Sequence, residues 1–108
     1  DTIRAVTDVR DIANAFFLVM TSPNTSGKVY NVCGGVPLKM RYYTDKLLEL
    51  SGLTDVEQRI DQKLWRPIDI QYQDGDATRI REELGWEPTY TIDGTLADLL
   101  KYWLKKLQ

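Results

Sequence analysis

The segment Arg66-Pro67-Ile68-Asp69 places a guanidinium and a carboxylate three residues apart around a proline. A guanidinium is a planar fork of donors that matches phosphate oxygens and stays charged at any working pH. A carboxylate accepts from hydroxyls, so the pair suits an anionic ligand that also carries hydroxyl groups. Proline fixes its own φ and pushes Arg66 towards an extended backbone. In a flat strand, positions three apart lie on opposite faces. The two groups therefore meet one ligand only if the chain bends at Pro67. The competing reading is an ordinary surface ion pair, which so short a motif taken alone favours.

Other residues with chemical potential reduce to structural roles. Asp8 and Asp11 fall at a helix start, where acids cap free N–H groups and oppose the dipole, so paired acid–base work is the weaker reading. Asp74-Gly75-Asp76 is a turn followed by a cap, and it lacks the further oxygen ligands and distal glutamate of a calcium loop. Cys33 ends a β-branched run with no histidine to activate it, which is the pattern of a small buried residue. Trp86 and Trp103 fit as core aromatics, whereas Trp65, beside Arg66, stays open to stacking on a base or sugar.

The elements that must position Arg66 and Asp69 follow from periodicity and punctuation. Asp1–Thr7 reads as a short strand or extended lead-in. Asp8 caps a helix with Ile12, Ala15, Phe16, Val19 and Met20 at helical spacing. Thr21–Gly27 is loop, and Lys28–Cys33 is a β-branched and aromatic strand bounded by Gly34-Gly35. A second helix follows Pro37, carries Tyr43, Leu47, Leu48 and Leu50, and stops at Ser51-Gly52. Val56–Ile60 alternates as a further strand. Residues 77–84 form a short helix ended by Gly85, and Thr91 caps a last helix with Leu96, Leu99, Leu100, Trp103 and Leu107 inward. This predicts a small α/β unit of three to four helices and two to three short strands, one compact domain over residues 1–108.

Composition removes whole classes of function. The net charge is −2, from 14 basic and 16 acidic side chains, and no basic run exceeds Lys105-Lys106, so nucleic acid is not the expected partner. The absence of histidine removes His-based triads and most zinc sites. One cysteine rules out an intramolecular disulfide and suits a reducing cytosol, and no apolar run reaches membrane-span or signal length. The expectation is a soluble, cytoplasmic protein with no membrane partner.

The order RAVTDVRDIANAF, GKVYNVCGG, RPxD and GDxTRxRxxLGWxP, ending in an amphipathic helix, resembles the C-terminal end of the extended short-chain dehydrogenase/reductases that act on nucleotide sugars. The branch it looks most like contains GDP-mannose 4,6-dehydratase and GDP-4-keto-6-deoxy-mannose reductase. The resemblance covers nearly the whole chain, but only about the last third of a typical member. It implies that Arg4 and Arg66 contact a nucleotide pyrophosphate from two sides and that Asp69 binds a ribose hydroxyl. At Ala5-Val6 the sequence departs from the acid and aromatic that relatives commonly carry after this arginine. The resemblance also opens the Asn31–Met40 segment onto the substrate side, with Lys39 and Arg41 as basic contacts; a plain strand-to-helix turn with both side chains solvated is the equal alternative.

What the resemblance implies for function is a nucleotide-diphosphate-sugar binding portion, GDP-sugar favoured, of a dehydratase, reductase or epimerase. The parent enzyme would hold NAD or NADP on an N-terminal Rossmann domain. This chain shows no GxxGxxG, so it is expected to bind no cofactor and to have no catalytic residues or activity alone. Tyr-x-x-x-Lys, the family's catalytic pairing, occurs as Tyr42…Lys46 and Tyr102…Lys106, but outside that setting each is a helix-surface pair. Two other classes remain: a free-standing ligand-binding or regulatory module, and an interaction fragment that covers a Rossmann domain or self-associates as a homodimer. The helix Asp8–Met20, with Phe16-Phe17-Leu18-Val19-Met20 in a row, is too apolar for one buried stripe and is the candidate contact surface.

Overall fold

A computed structural model describes residues 1–108. Exposed N–H groups at a helix start need an acceptor, and the expected caps supply it. The Asp8 Oδ1 accepts from the Arg10 N–H at 2.9 Å and opens helix α1 (Val9–Thr21). Helices α2 (Met40–Ser51) and α3 (Thr78–Leu84) end at Gly52 and Gly85, whose φ values of 70° and 69° are the left-handed turn that glycine makes freely. Asp76 accepts from the Thr78 N–H at 2.8 Å at the start of α3, and Thr91 accepts from the Gly94 N–H at 3.2 Å at the start of α4 (Ile92–Lys106).

Strand β1 (Ile3–Arg4) lies between β2 (Leu38–Lys39), which runs antiparallel to it, and β3 (Tyr72–Gln73), which runs parallel. Ile3 is paired with Lys39 and Tyr72, and Arg4 with Leu38 and Gln73. Four helices and a three-stranded sheet make the small α/β architecture that the sequence predicts.

The strands themselves are placed differently. Lys28–Cys33 joins no ladder: apart from a turn bond from the Lys28 N–H to the Thr25 carbonyl, its backbone has no backbone partner. β-branched residues fit a pleated surface without supplying the neighbouring edge. Val56–Ile60 is not a strand either; the Gln58 side chain instead ties it to α2, through Thr44 at 2.9 Å and Asp45 at 2.8 Å. Strands β2 and β3 form where no alternation marks them, because two residues cannot show a period and β1 decides their pairing.

The core is centred on Ala15, Ala77, Ile80 and Trp86, with Leu18, Val19 and Leu84 packed around it. Trp86 is fully buried and its indole N–H donates to the Asp11 carbonyl at 3.0 Å. At about 25 cal/mol per Å² over 150–250 Å², that indole supplies roughly 4–6 kcal/mol of transfer free energy. Asp11 is buried too, and its carboxylate accepts from the N–H and hydroxyl of Thr89, both at 2.9 Å, and from the Tyr90 N–H at 3.2 Å. Beside it, Asp8 accepts from Arg10 and, at 2.6 Å, from the Thr95 hydroxyl. Arg10 also reaches Asp98 at 2.9 Å and lies over the Tyr90 ring, 3.7 Å from its centroid. Helices α2 and α4 pack together as a second contact zone.

Nine of 108 residues are buried. The radius of gyration is 17.1 Å, against about 13 Å for a compact domain of this length. The expected inward faces are therefore only partly covered. In α4 Leu96 is buried, while Leu99, Trp103 and, just past its end, Leu107 are exposed; in α1 Ala15 is buried, while Phe16, Phe17 and Met20 are exposed. Helical spacing aligns these side chains, but the chain has no second surface to lay over them. No helix is long and apolar enough to cross a membrane.

Two outcomes follow for stability. Asp11→Ala strands the Thr89 and Tyr90 donors and is expected to cost about 2–4 kcal/mol, read as a lowered urea midpoint at unchanged slope. Hydrogen bonds from Arg10, and then from Thr95, hold the Asp8 carboxyl far below the usual carboxylate range despite the opposing cost of burial. A folded value below the unfolded one gives stability that is complete above about pH 4 and is lost as pH falls further. The stability difference between wild type and Asp8→Asn should shrink as urea titrations are taken from about pH 5 to pH 2.

Candidate functional site

Arg4 is held at the centre of the sheet. Its neighbours Ile3 and Ala5 donate their N–H groups to the Gln71 and Gln73 carbonyls at 2.9 and 3.1 Å. On the other side the buried Tyr43 of α2 donates its hydroxyl to the Arg4 carbonyl at 2.7 Å. The Arg4 guanidinium donates through Nη1 to the Ile3 carbonyl at 2.9 Å and through Nη2 to Asp69 Oδ1 at 3.1 Å. A guanidinium has about five N–H donors, so most of its capacity is free for a ligand.

Arg66 comes from the other wall. A 3₁₀ turn, Gln62–Leu64, is capped by Asp61, which accepts from the Lys63 N–H at 2.9 Å. The chain leaves that turn extended at Trp65 and bends at Pro67-Ile68, as convergence of Arg66 and Asp69 requires. Arg4, Arg66 and Asp69 line one solvent-open cleft of about 890 Å³, together with Thr2, Gln71 and Trp65. Its carboxylates are engaged: Asp69 on Arg4, Asp61 in its cap, and Asp1 with Lys39 at 3.8 Å. Arg66 takes part in none of the ion pairs, which leaves it the uncompensated cation of the cleft.

Lys39 and Arg41 stand outside this lining. Lys39 pairs with Ile3 across the ladder, which sets it on the opposite face of the sheet from Arg4. Arg41 lies in the first turn of α2. Neither Tyr-x-x-x-Lys pair reaches the cleft. Tyr42 donates to Asp93 at 2.6 Å, which pushes its phenol up, and Lys46 binds Glu49 and Asp93. Lys106 donates to the Tyr102 hydroxyl at 3.0 Å.

Cys33 packs against Gly75, where an added Cβ would come within 2.8 Å of its sulfur. Burial, followed by the charges of Asp74 and Asp76, pushes its thiol up, away from a nucleophilic thiolate. Gly34 and Gly35 answer to packing: a Cβ would meet Pro88 at 2.8 Å or the Val6 carbonyl at 3.0 Å. That pair does not fit the glycine-rich cradle of a nicotinamide dinucleotide. No three His, Cys, Asp or Glu side chains converge as metal ligands.

Residues 1–99 match the family described as GDP-mannose 4,6 dehydratase. The chain belongs to this family. A GDP-6-deoxy-D-mannose reductase of Pseudomonas aeruginosa is 29% identical over 108 residues, all of this chain and 35% of that enzyme. The structure of RMD from Pseudomonas aeruginosa, complexed with NADPH, aligns with a TM-score of 0.84 at 29% identity over 98% of this chain and 34% of its own. UDP-glucose 4-epimerase of Thermotoga maritima, with UDP-glucose, aligns with a TM-score of 0.86 at 26% identity over 99% of this chain and 33% of its own. The chain thus spans about a third of the length of the relatives it matches. Both the family and the partial coverage agree with the reading of the motifs.

The Arg4–Asp69 pair is open to water, with Asp69 two-fifths exposed at 41%. Exposed pairs of this kind contribute little. Asp69→Asn is therefore expected to change unfolding free energy by less than about 0.5 kcal/mol in a urea titration, so that any binding defect it shows belongs to the ligand.

Proposed function

We propose that residues 1–108 are the nucleotide-diphosphate-sugar binding domain of an NAD(P)-dependent sugar dehydratase, reductase or epimerase. The observation that carries this reading is the cleft itself: two guanidinium groups and a carboxylate, from β1 and the 65–69 loop, around one open space. The diphosphate draws on the free donors of Arg4 and on the unpaired Arg66, and Asp69 accepts from a ribose hydroxyl. Lys39 and Arg41, away from the cleft, act through their field on an approaching anion. The family and its reductase member favour a GDP-sugar. Hydride transfer and the nicotinamide belong to a Rossmann domain beyond these residues, and this chain contributes no catalytic residue.

A second reading is favoured by the uncovered apolar surface. Phe16, Phe17 and Met20 of α1 and the backbone of Lys28–Cys33, which joins no ladder, offer a surface to a Rossmann domain or to a second copy. A purely interacting fragment needs no ligand. Calorimetry with GDP, UDP and dTDP separates the readings, because absence of heat with all three leaves the interaction fragment ahead.

In the intact protein, Arg66→Ala should weaken nucleotide-sugar binding about tenfold, the loss of roughly 1.5 kcal/mol of charge-assisted bonding. Asp69→Asn should cost less, because the amide still accepts one hydroxyl bond. Raising the salt concentration should reduce the wild-type affinity and leave Arg66→Ala less affected. An unchanged affinity in Arg66→Ala removes the clamp.

A further inference from the structure

The three tryptophans of the chain occupy different surroundings. Trp86 is fully buried with its N–H bonded, and Trp103 is half-exposed on α4, in edge contact with Tyr102. Trp65 is 70% exposed, its indole N–H bonds to nothing in the chain, and it lines the cleft that holds Arg4, Arg66 and Asp69. Three more large apolar side chains share that lining, Ile60 at 82%, Leu64 at 78% and Met40 at 43% exposure. The wall is not an accident of one rotamer. The capped 3₁₀ turn sets Leu64 and Trp65 at its end, and Pro67 restricts the preceding Arg66 to an extended backbone.

An apolar, partly aromatic wall next to an unpaired guanidinium fits a ligand with a flat apolar part joined to an anionic part. We propose that Trp65, with Ile60 and Leu64, forms the seat for the nucleobase and sets a preference for purines. The inference rests on the diphosphate clamp proposed above and adds a base-recognition residue to it. An indole face stacks on any base, because every base presents a π face. The bicyclic purine overlaps the indole more than a pyrimidine does, so GDP binds more tightly than UDP. The Trp65 N–H remains available to a base or sugar oxygen at the edge of the stack.

The test uses the intact protein and three probes: GDP, UDP and inorganic pyrophosphate, which has the charge without the base. Affinities come from calorimetry, and the fluorescence of buried Trp86 reports that each variant is folded. Trp65→Ala should lose about tenfold in GDP affinity and less for UDP, with pyrophosphate unchanged. Trp65→Phe should recover most of the loss, and quenching of indole emission by GDP should be much reduced in both variants. Arg66→Ala should weaken all three probes. If Trp65→Ala binds GDP as wild type does, or loses GDP and pyrophosphate equally, the base seat is overturned and the clamp stands. If wild type binds neither GDP nor pyrophosphate, both are overturned.

Discussion

Burying the Asp11 carboxylate takes it out of water, a cost that only hydrogen-bond donors can offset, and the chain finds them 78 and 79 residues away in Thr89 and Tyr90. That requirement pins the 86–90 segment across the first turn of α1. It also seats Trp86 between α1 and α3, because the indole N–H lands on the carbonyl of the same Asp11. The positive end of the α1 dipole favours the buried charge, as it does that of Asp8 three positions earlier. Asp8, Arg10, Asp98 and Thr95 extend the attachment to α4. A single helix start thus joins the two ends of the sequence, and the small apolar cluster forms around it.

From there the order reaches the cleft through short links. The Thr7 hydroxyl accepts from the Gly34 N–H at 2.9 Å, so the segment between β1 and α1 is fixed as well. Tyr43 and the two ladders hold the Arg4 backbone from opposite sides. The facing wall is built differently. Every residue from 52 to 76 is exposed, including Trp65, Arg66 and Asp69. Arg4 is therefore prepositioned by packing, while Arg66 stands on a loop shaped by a capped turn and a proline.

The uncovered apolar surface has the same origin as the small core. The small apolar cluster takes Ala15, Leu18 and Val19 from α1 together with Tyr30, Val32 and Cys33. Phe16, Phe17 and Met20 lie outside it. The relatives are about three times longer than this chain.

The sequence by itself determined the local events. Asp8 and Thr91 open helices, Gly52 and Gly85 close them, and Pro67 bends the chain, because each acts through its own backbone and nearest N–H groups. The ordered motifs were also enough to place the chain in its family. Only the tertiary structure decided which surfaces meet. It paired Asp69 with Arg4, although the spacing had suggested Arg66. It made Asp11 a buried anchor, where position had suggested a dipole-facing acid at a helix start. It set Lys39 on the far face of the sheet, and it left Lys28–Cys33 unpaired while forming two-residue strands elsewhere. Strand pairing and burial depend on a partner distant in sequence, and no local pattern of residues contains that partner's position.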